Sequence, residues 1–245
     1  MDTLIQGGKY QVLEVLEIEE GYKAYLCIDV ETNNDYRPMI FNIYEKASDI
    51  RRFLPEFYSL NREQHPEFID IMTGQHSITA VFEYHYGPEL LNFFEQVDKE
   101  DFELRSKYAF RLLEACLMLD TVPDFIAYAC LEPDNIIILE KNQKVRINYL
   151  IRPLEMGNEP FKWKKLAYFM DHIFVKDRYA PDEIWEYIED LKQNRDDSIA
   201  EAFSRWKEIY EGLLEEHKRL KQEKWLAYRV RRLKEFFRRR RFKRK

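Results

Sequence analysis

Apolar and polar positions come in short, strand-like blocks over the first third of this chain and shift to helical spacing over the rest. Tyr10-Gln11-Val12-Leu13-Glu14-Val15-Leu16 mixes the two classes as a half-buried strand does, and Ala24–Asp29 is a second strand candidate. Thr32-Asn33-Asn34-Asp35 predicts a turn into a third strand, Met39–Tyr44. A helix is expected from about Ser48 to Arg62. Ser48 is its expected N-cap, Phe53, Phe57 and Leu60 recur at helical spacing, and Pro55 is expected to weaken or kink it. Strands at Phe68–Met72 and Ile78–Tyr84 complete an expected sheet of five strands with one helix.

From residue 88 onward helices dominate. Leu104–Leu119 carries Tyr108, Leu112, Ala115 and Leu119 at the spacing of a buried helix face. Residues 136–149 predict a hairpin turning at Lys141-Asn142-Gln143, and Lys162–Phe174 and Pro181–Leu191 predict two further helices. An almost unbroken helical pattern runs from Ser198. The expected organisation is a strand-rich part over residues 8–86, a mainly helical part over 87–197, and a C-terminal helical arm over 198–245.

Composition narrows the class. With 245 residues, 45% hydrophobic and 15% aromatic, the chain can bury a sizeable core rich in large rings. Only 7 glycines and 9 prolines exclude a low-complexity chain. Cys27, Cys116 and Cys130 have no metal-ligand spacing and leave no full disulfide set, which predicts a reducing cytoplasm. No signal-peptide pattern opens the chain, and no apolar run approaches the roughly 18 residues of a membrane span. A soluble protein is expected. His76, His85, His172 and His217 are scattered, so no metal, cofactor or catalytic triad is expected. The net charge of -6 conceals an asymmetry: from Arg229 onward eleven Lys and Arg face one acid, Glu235, so this tail carries +10 and the remainder -16.

The stretch Leu131-Glu132-Pro133-Asp134-Asn135, followed by the apolar Ile136-Ile137-Ile138-Leu139, resembles the catalytic loop of protein kinases, H-R-D-L-K-P-x-N before a strand. Leu131, Pro133 and Asn135 fall in register, while Tyr128, Ala129 and Cys130 stand where His-Arg-Asp belongs. Phe53-Leu54-Pro55-Glu56 resembles the helix that carries the kinase glutamate, with His65-Pro66 after it. Val81-Phe82-Glu83-Tyr84 before Gly87 is similar to the hinge between kinase lobes. Val145–Leu150 occupies the strand that ends in D-F-G. Over residues 8 to 175 the resemblance implies an α+β, two-lobed protein kinase-like fold: a small antiparallel sheet plus helix, then a truncated, mainly helical lobe. The interval from Ile151 to Phe161 is too short for an ordinary activation segment.

The same resemblance exposes departures. Glu17, Glu19 and Tyr22 stand where a phosphate-covering loop has glycines, and two carboxylates there would repel a triphosphate. Asn42 replaces the phosphate-pairing lysine, Ile40 the alanine over the adenine, Cys130 the catalytic base and Asn148 the metal-binding aspartate. Glu56 and Asn135 are retained. Phosphoryl transfer is mostly positioning and charge stabilisation by these groups, and two amides are a poor match for a hard divalent cation. The implied reading is a pseudokinase, not an enzyme. Asn135 is expected to brace its own loop, Glu56 to face solvent or a stray cation, and Cys130 to be an inert packing residue. Tyr128, Tyr149 and His65 are expected to serve the core.

The basic tail joins Arg229, Arg231, Arg232, Lys234, Arg238, Arg239, Arg240, Arg241, Lys243, Arg244 and Lys245 to Leu233, Phe236, Phe237 and Phe242. Ahead of it, Glu211, Glu215 and Glu216 precede Lys218, Arg219 and Lys221 as opposite-charge pairs typical of an exposed helix. Basic amphipathic segments suit an anionic membrane surface, a partner groove or nucleic acid, and each cation beside an anionic bilayer contributes about 1 kcal/mol. The expected function is a kinase-fold scaffold or regulatory module that binds a protein partner. It is expected in the cytoplasm, placed at the inner face of a membrane by residues 229–245. In outline it is similar to the cytosolic pseudokinase domains of bacterial type VII secretion membrane components. A divergent phosphotransferase with residual nucleotide binding and a nucleic-acid-associated protein are the alternatives; the acidic body argues against the latter.

Overall fold

A computed structural model describes residues 4–5, 9–31, 37–60, 63, 65–98, 101–154, 161–176 and 179–222. Its first lobe is a six-stranded antiparallel sheet built from β1 (Leu4–Ile5), β2 (Tyr10–Glu19), β3 (Tyr22–Asp29), β4 (Met39–Tyr44), β5 (Phe68–Thr73) and β6 (Ile78–Glu83), in the order β1-β2-β3-β4-β6-β5. The five expected strands are present, and the two-residue β1 adds a sixth on the edge of β2. The turn expected at residues 32–35 lies outside the described residues. Period-two alternation decides which side chains go inward. Tyr22, Ala24, Ile40 and Tyr44 face the main core, while Cys27, Met39, Phe41 and Val81 pack with Tyr10 on the other face.

Helix α1 (Ala47–Ser59) closes the inner face. Phe53 stacks on Tyr44 at 4.5 Å between ring centroids, and Phe57 meets Phe82 edge-on. The start differs from expectation: Lys46 is the N-cap, without a side-chain bond, and the Ser48 hydroxyl turns to Asp49 instead. The helix also runs through Pro55 without ending. Pro55 is exposed, so its ring meets solvent while the buried rings of Phe53 and Phe57 hold the turns on either side.

Gly87 leads out of the sheet where the chain passes tightly against β7 (Ile136–Leu139). A Cβ on Gly87 would lie 2.3 Å from the Ile138 carbonyl oxygen, and the next residue, Pro88, accepts from the Ile138 N–H at 2.9 Å. Beyond lie α2 (Leu90–Gln96), α3 (Phe102–Cys116), α4 (Asp124–Cys130), the β7–β8 hairpin with β8 at Lys144–Ile147, α5 (Phe161–Ile173), α6 (Asp182–Lys192) and α7 (Ile199–Gln222). The hairpin turns through residues 140–142 and a left-handed Gln143, close to the expected place. Residues 117–119, expected to finish α3, belong instead to a 3-10 turn over Leu117–Thr121. The seven-residue helices α2 and α4 were not anticipated, because two turns are too short to display a helical period.

α7 is only half an exposed arm. Its outer face carries the expected charge pairing in Arg219–Glu216, but its inner face buries Ile199, Ala202, Trp206, Leu213 and Leu220. Phe110 of α3 contacts the rings of Phe203 and Tyr210. Asp120 fixes its start by accepting from the N–H groups of Ile199 and Ala200, both at 2.9 Å, where a carboxylate suits the positive end of a helix. Arg105 of α3 is buried, and no ion pair to a carboxylate holds it among the described residues. Its guanidinium instead donates to the carbonyls of Phe94, Val97 and Asp98 after and within α2 and of Ile173 at the end of α5, joining two helix C-termini. No helix of the described residues is long and apolar enough to cross a membrane. The basic residues from Arg229 to Lys245 lie outside the described residues.

Candidate functional site

The cleft between the sheet and the helical lobe is where the kinase-like resemblance puts chemistry. Its roof is the β2–β3 hairpin. Pairing continues up to Glu19 opposite Tyr22, leaving Glu20-Gly21 as a two-residue turn. Gly21 has φ +79°, and a Cβ there would lie 2.3 Å from Cγ of Lys46, so glycine serves both the left-handed turn and the close approach. The ladder shifts register between Val12 and Glu14 and between Val15 and Glu17, yet it stays paired up to its two-residue turn and leaves no open loop there to wrap phosphates. Tyr22 points inward from it, wholly buried, and its hydroxyl donates to Asn42 Oδ1 at 2.8 Å.

Asn42 is the hub beneath. It sits on the inner face of β4 with no solvent exposure. Besides the Tyr22 hydroxyl, Oδ1 accepts from the Ile151 N–H, and Nδ2 donates to the Tyr149 carbonyl, each at 2.8 Å. The Tyr44 hydroxyl donates to the Ile151 carbonyl at 2.6 Å. The segment after β8 is thereby tied to the sheet by main-chain bonds from two side chains of one strand. Burial pushes the Tyr22 and Tyr44 phenols well above their ordinary pKa, which keeps both as donors.

Arg152 spans the mouth. Its Nε donates to Glu17 of β2 at 2.5 Å, and its two terminal nitrogens donate to Asp134, just ahead of β7, at 3.2 and 2.5 Å. Burial alone would lower its pKa, but the hydrogen bonds and charges of Asp134 and Glu17 outweigh that and hold the guanidinium charged. Glu17 is therefore not a free carboxylate repelling a phosphate, as the sequence implied. It is engaged in a pair that bridges the lobes.

The remaining motif residues are spent on the backbone. Asn135, fully buried, donates through Nδ2 to the carbonyls of Ala129 (2.9 Å) and Leu150 (3.1 Å) and accepts from the Leu150 N–H (3.2 Å). Asn148 clamps one hinge residue from both sides, accepting from the His85 N–H at 2.8 Å and donating to the His85 carbonyl at 3.2 Å. Both main-chain groups of His85 are thereby engaged by the protein's own amide. Cys130 ends α4 with no exposure, and burial pushes its thiol up, away from the thiolate that reactivity needs. Glu56 is half-buried, with no side-chain hydrogen bond or ion pair among the described residues.

Tyr149 stacks on Phe82 at 4.9 Å and 8°, a core role in keeping with its place in the resemblance. Tyr128 differs: it is half-buried, with Lys165 Nζ 3.4 Å from its ring centroid, because α4 turns that side chain toward α5. His65 is buried and meets Thr121 Oγ1 at 3.0 Å.

Asn42, Asn135 and Asn148 thus converge on residues 148–151, whereas Cys130 and Glu56 contribute no polar contact there. Arg152, Tyr44 and Asp134 are cleft residues that sequence reasoning missed. The one available signal was an arginine in the short interval after the hairpin. Among the described residues no group of three or more His, Cys, Asp or Glu side chains could hold a metal ion.

Comparison with known proteins adds one likeness. No family model matches the chain, and no curated protein matches it. Among solved structures it is similar to a crystal structure of Rad53 1-466 in complex with AMP-PNP, with a TM-score of 0.58 and 16% identity. The match covers 82% of this chain and 66% of that one, so the chain spans slightly less than two thirds of the chain it matches. At this identity the likeness concerns the fold alone: the chain has a two-lobed, protein kinase-like α+β fold.

Proposed function

We propose that this chain is a catalytically silent kinase-fold module that acts as a scaffold for a protein partner. One observation carries the reading: the groups that would handle a metal-bound triphosphate are replaced by side chains bonded across the cleft. Asn42 holds residues 149 and 151, Arg152 holds Glu17 to Asp134, and Asn148 occupies the His85 main chain. A nucleotide would have to break several of these bonds before making its own. Buried polar groups left unpaired cost about 1–3 kcal/mol each.

The test is thermal unfolding with ATP and either magnesium or manganese. A ligand at one hundred times its Kd stabilises by about 2.7 kcal/mol, so no shift at millimolar nucleotide places any binding in the millimolar range or weaker. A clear metal-dependent shift, or phosphate transfer to any substrate, would favour a divergent phosphotransferase instead.

The proposal extends to place. Residues 229–245, with +10 and four large apolar side chains besides Val230, suit an anionic bilayer, and a scaffold near the inner face of a membrane would agree in outline with the type VII secretion components. Full-length protein should sediment with phosphatidylserine vesicles but not with neutral ones, and deletion of 229–245 should abolish this. Salt-sensitive binding to DNA or RNA without vesicle binding would support the nucleic-acid alternative. Capture from the native cell, with and without the tail, would identify the partner.

A further inference from the structure

β1 covers β2 only at Tyr10 and Gln11, so from Val12 to Glu19 the outer edge of β2 meets no strand among the described residues. Both rows of its side chains are therefore within reach of solvent. Three of the seven large apolar side chains most exposed among the described residues lie on this one strand: Leu13 at 47%, Val15 at 52% and Ile18 at 63%. Apolar residues scattered singly over a surface mean little, but a grouped set rimmed by polar ones marks an interaction site. Glu14, Glu19 and Glu20 form that rim. All three are exposed and, unlike Glu17, none has an ion pair or hydrogen bond among the described residues.

An occupant of this surface must be apolar and cationic at once. The carboxylates around α6 offer less: Glu189 is paired with Lys192, and Asp190 with Arg195 and Arg205. A second copy of the strand suits β2 poorly. Two such edges would set like carboxylates against each other. The register shifts after Val12 and Val15 also break up the ladder that an added strand would extend.

Residues 229–245 of this chain have the required character, with eleven cations, one acid and the side chains of Leu233, Phe236, Phe237 and Phe242. They can also reach. α7 ends beside α2: His217 stacks on Phe102 at 4.0 Å, and Arg105, a turn further along α3, donates to the carbonyls of Phe94 and Val97. α2 is seven residues long, about 10 Å, and starts at the hinge. There burial, then Tyr86, Glu14 and Glu89, push the Tyr84 phenol up, so Glu14 of β2 and Glu89 at the start of α2 lie close to one side chain. The 23 residues after Gln222 span roughly 75 Å when extended, several times the length of α2. Tethering also holds the segment at a millimolar effective concentration, so even a weak contact is populated.

We propose that residues 229–245 dock on β2 of their own chain. Leu233, Phe236 and Phe237 lie against Leu13, Val15 and Ile18, and the cations lie beside Glu14, Glu19 and Glu20. The contact goes beyond the scaffold reading and does not depend on it. It gives the tail a surface within the molecule, for which a bilayer or any other anionic partner has to compete.

Full-length protein with a photoreactive p-benzoylphenylalanine in place of Phe237 is irradiated, and its cross-linked peptides are identified by mass spectrometry. Links to residues 10–21 are expected within one chain, so a mixture with 15N-labelled protein should give no mixed-mass product. Val15→Ser with Ile18→Ser, both at exposed positions, should lower the yield about tenfold through lost apolar contact. Glu14→Gln, Glu19→Gln and Glu20→Gln together, or half-molar salt, should lower it about threefold. Removing three exposed acids of the helical lobe, Glu95→Gln, Glu208→Gln and Glu211→Gln, should leave it unchanged. Melting curves confirm that each variant is folded. If the tail serves a bilayer as proposed above, the variant with Val15→Ser and Ile18→Ser should sediment with several-fold less phosphatidylserine. A tail that ignores vesicles leaves the cross-link standing, so the two readings fail separately. The proposal is overturned if Phe237 links elsewhere or not at all, if the links join separate chains, or if the β2 and helical-lobe variants behave alike.

Discussion

At the scale of single residues, Asn42 shows how one substitution changes a cleft. A lysine there would need a carboxylate partner; asparagine, with two donors and two acceptor sites, joins three groups of its surroundings. Asn42→Lys leaves the Tyr22 hydroxyl, the Tyr149 carbonyl and the Ile151 N–H without their partner and buries an ammonium. We expect a loss of roughly 2–4 kcal/mol in urea unfolding, with no gain in ATP binding by calorimetry. Arg152→Ala removes a pair that is partly exposed, so solvent screening limits its worth. A loss of about 1–2 kcal/mol at low salt, shrinking in high salt, is the expected outcome of the same measurement. Either variant tests whether residues 148–152 are held by these two side chains.

At the scale of elements, capping and close approach do what propensity alone could not. Arg105 satisfies carbonyls at the ends of α2 and α5 with one planar fork. Lysine has a single nitrogen and cannot reproduce the fork. Arg105→Lys should therefore recover little of the roughly 3 kcal/mol expected to be lost in Arg105→Ala, read as a lowered urea midpoint with unchanged slope. α7 supplies Trp206 and four other buried side chains to the helical lobe. A chain ending at residue 198 should consequently lose cooperative unfolding, whereas deletion of residues 229–245 should leave the melting temperature nearly unchanged. Comparing the two melts separates the core segment of the C-terminal region from its charged end.

At the scale of the whole molecule, burial of ionisable groups sets the pH range of stability. Burial pushes the Cys27 thiol up to about 12 and lifts Cys116 and Cys130 as well. The unfolded chain releases these protons near pH 8.5 while the folded chain keeps them. Stability is thus complete below about pH 8.5 and falls as pH rises toward 12, by about 1.4 kcal/mol per unit for each thiol. On the acid side, burial lowers His65 and His85. The unfolded chain takes up protons first there, so stability declines as pH drops below about 6.5. Urea midpoints from pH 5 to 10.5 should trace a plateau with both shoulders, and a thiol reagent at pH 8 should label none of the three cysteines before unfolding.

Much of this was legible in the residues because the relevant signals are local. The mixed apolar and polar positions of β2, the apolar runs of β3 and β4, the spacing of Phe53 and Phe57, and the turn chemistry of residues 141–143 each predict an element from a few neighbours, and their order implies the kinase-like fold. The missing lysine, base and metal carboxylate are also visible as letters. What replaced them is not. Asn42 and Ile151 are 109 positions apart and Glu17 and Arg152 are 135 apart, and no periodicity records such a pair. Whether Glu17 repels a phosphate or grips an arginine depends on which groups the folded chain brings within 3 Å. Those choices belong to the tertiary structure, because hydrogen bonds and ion pairs act over a few ångströms in space and take no account of distance along the chain.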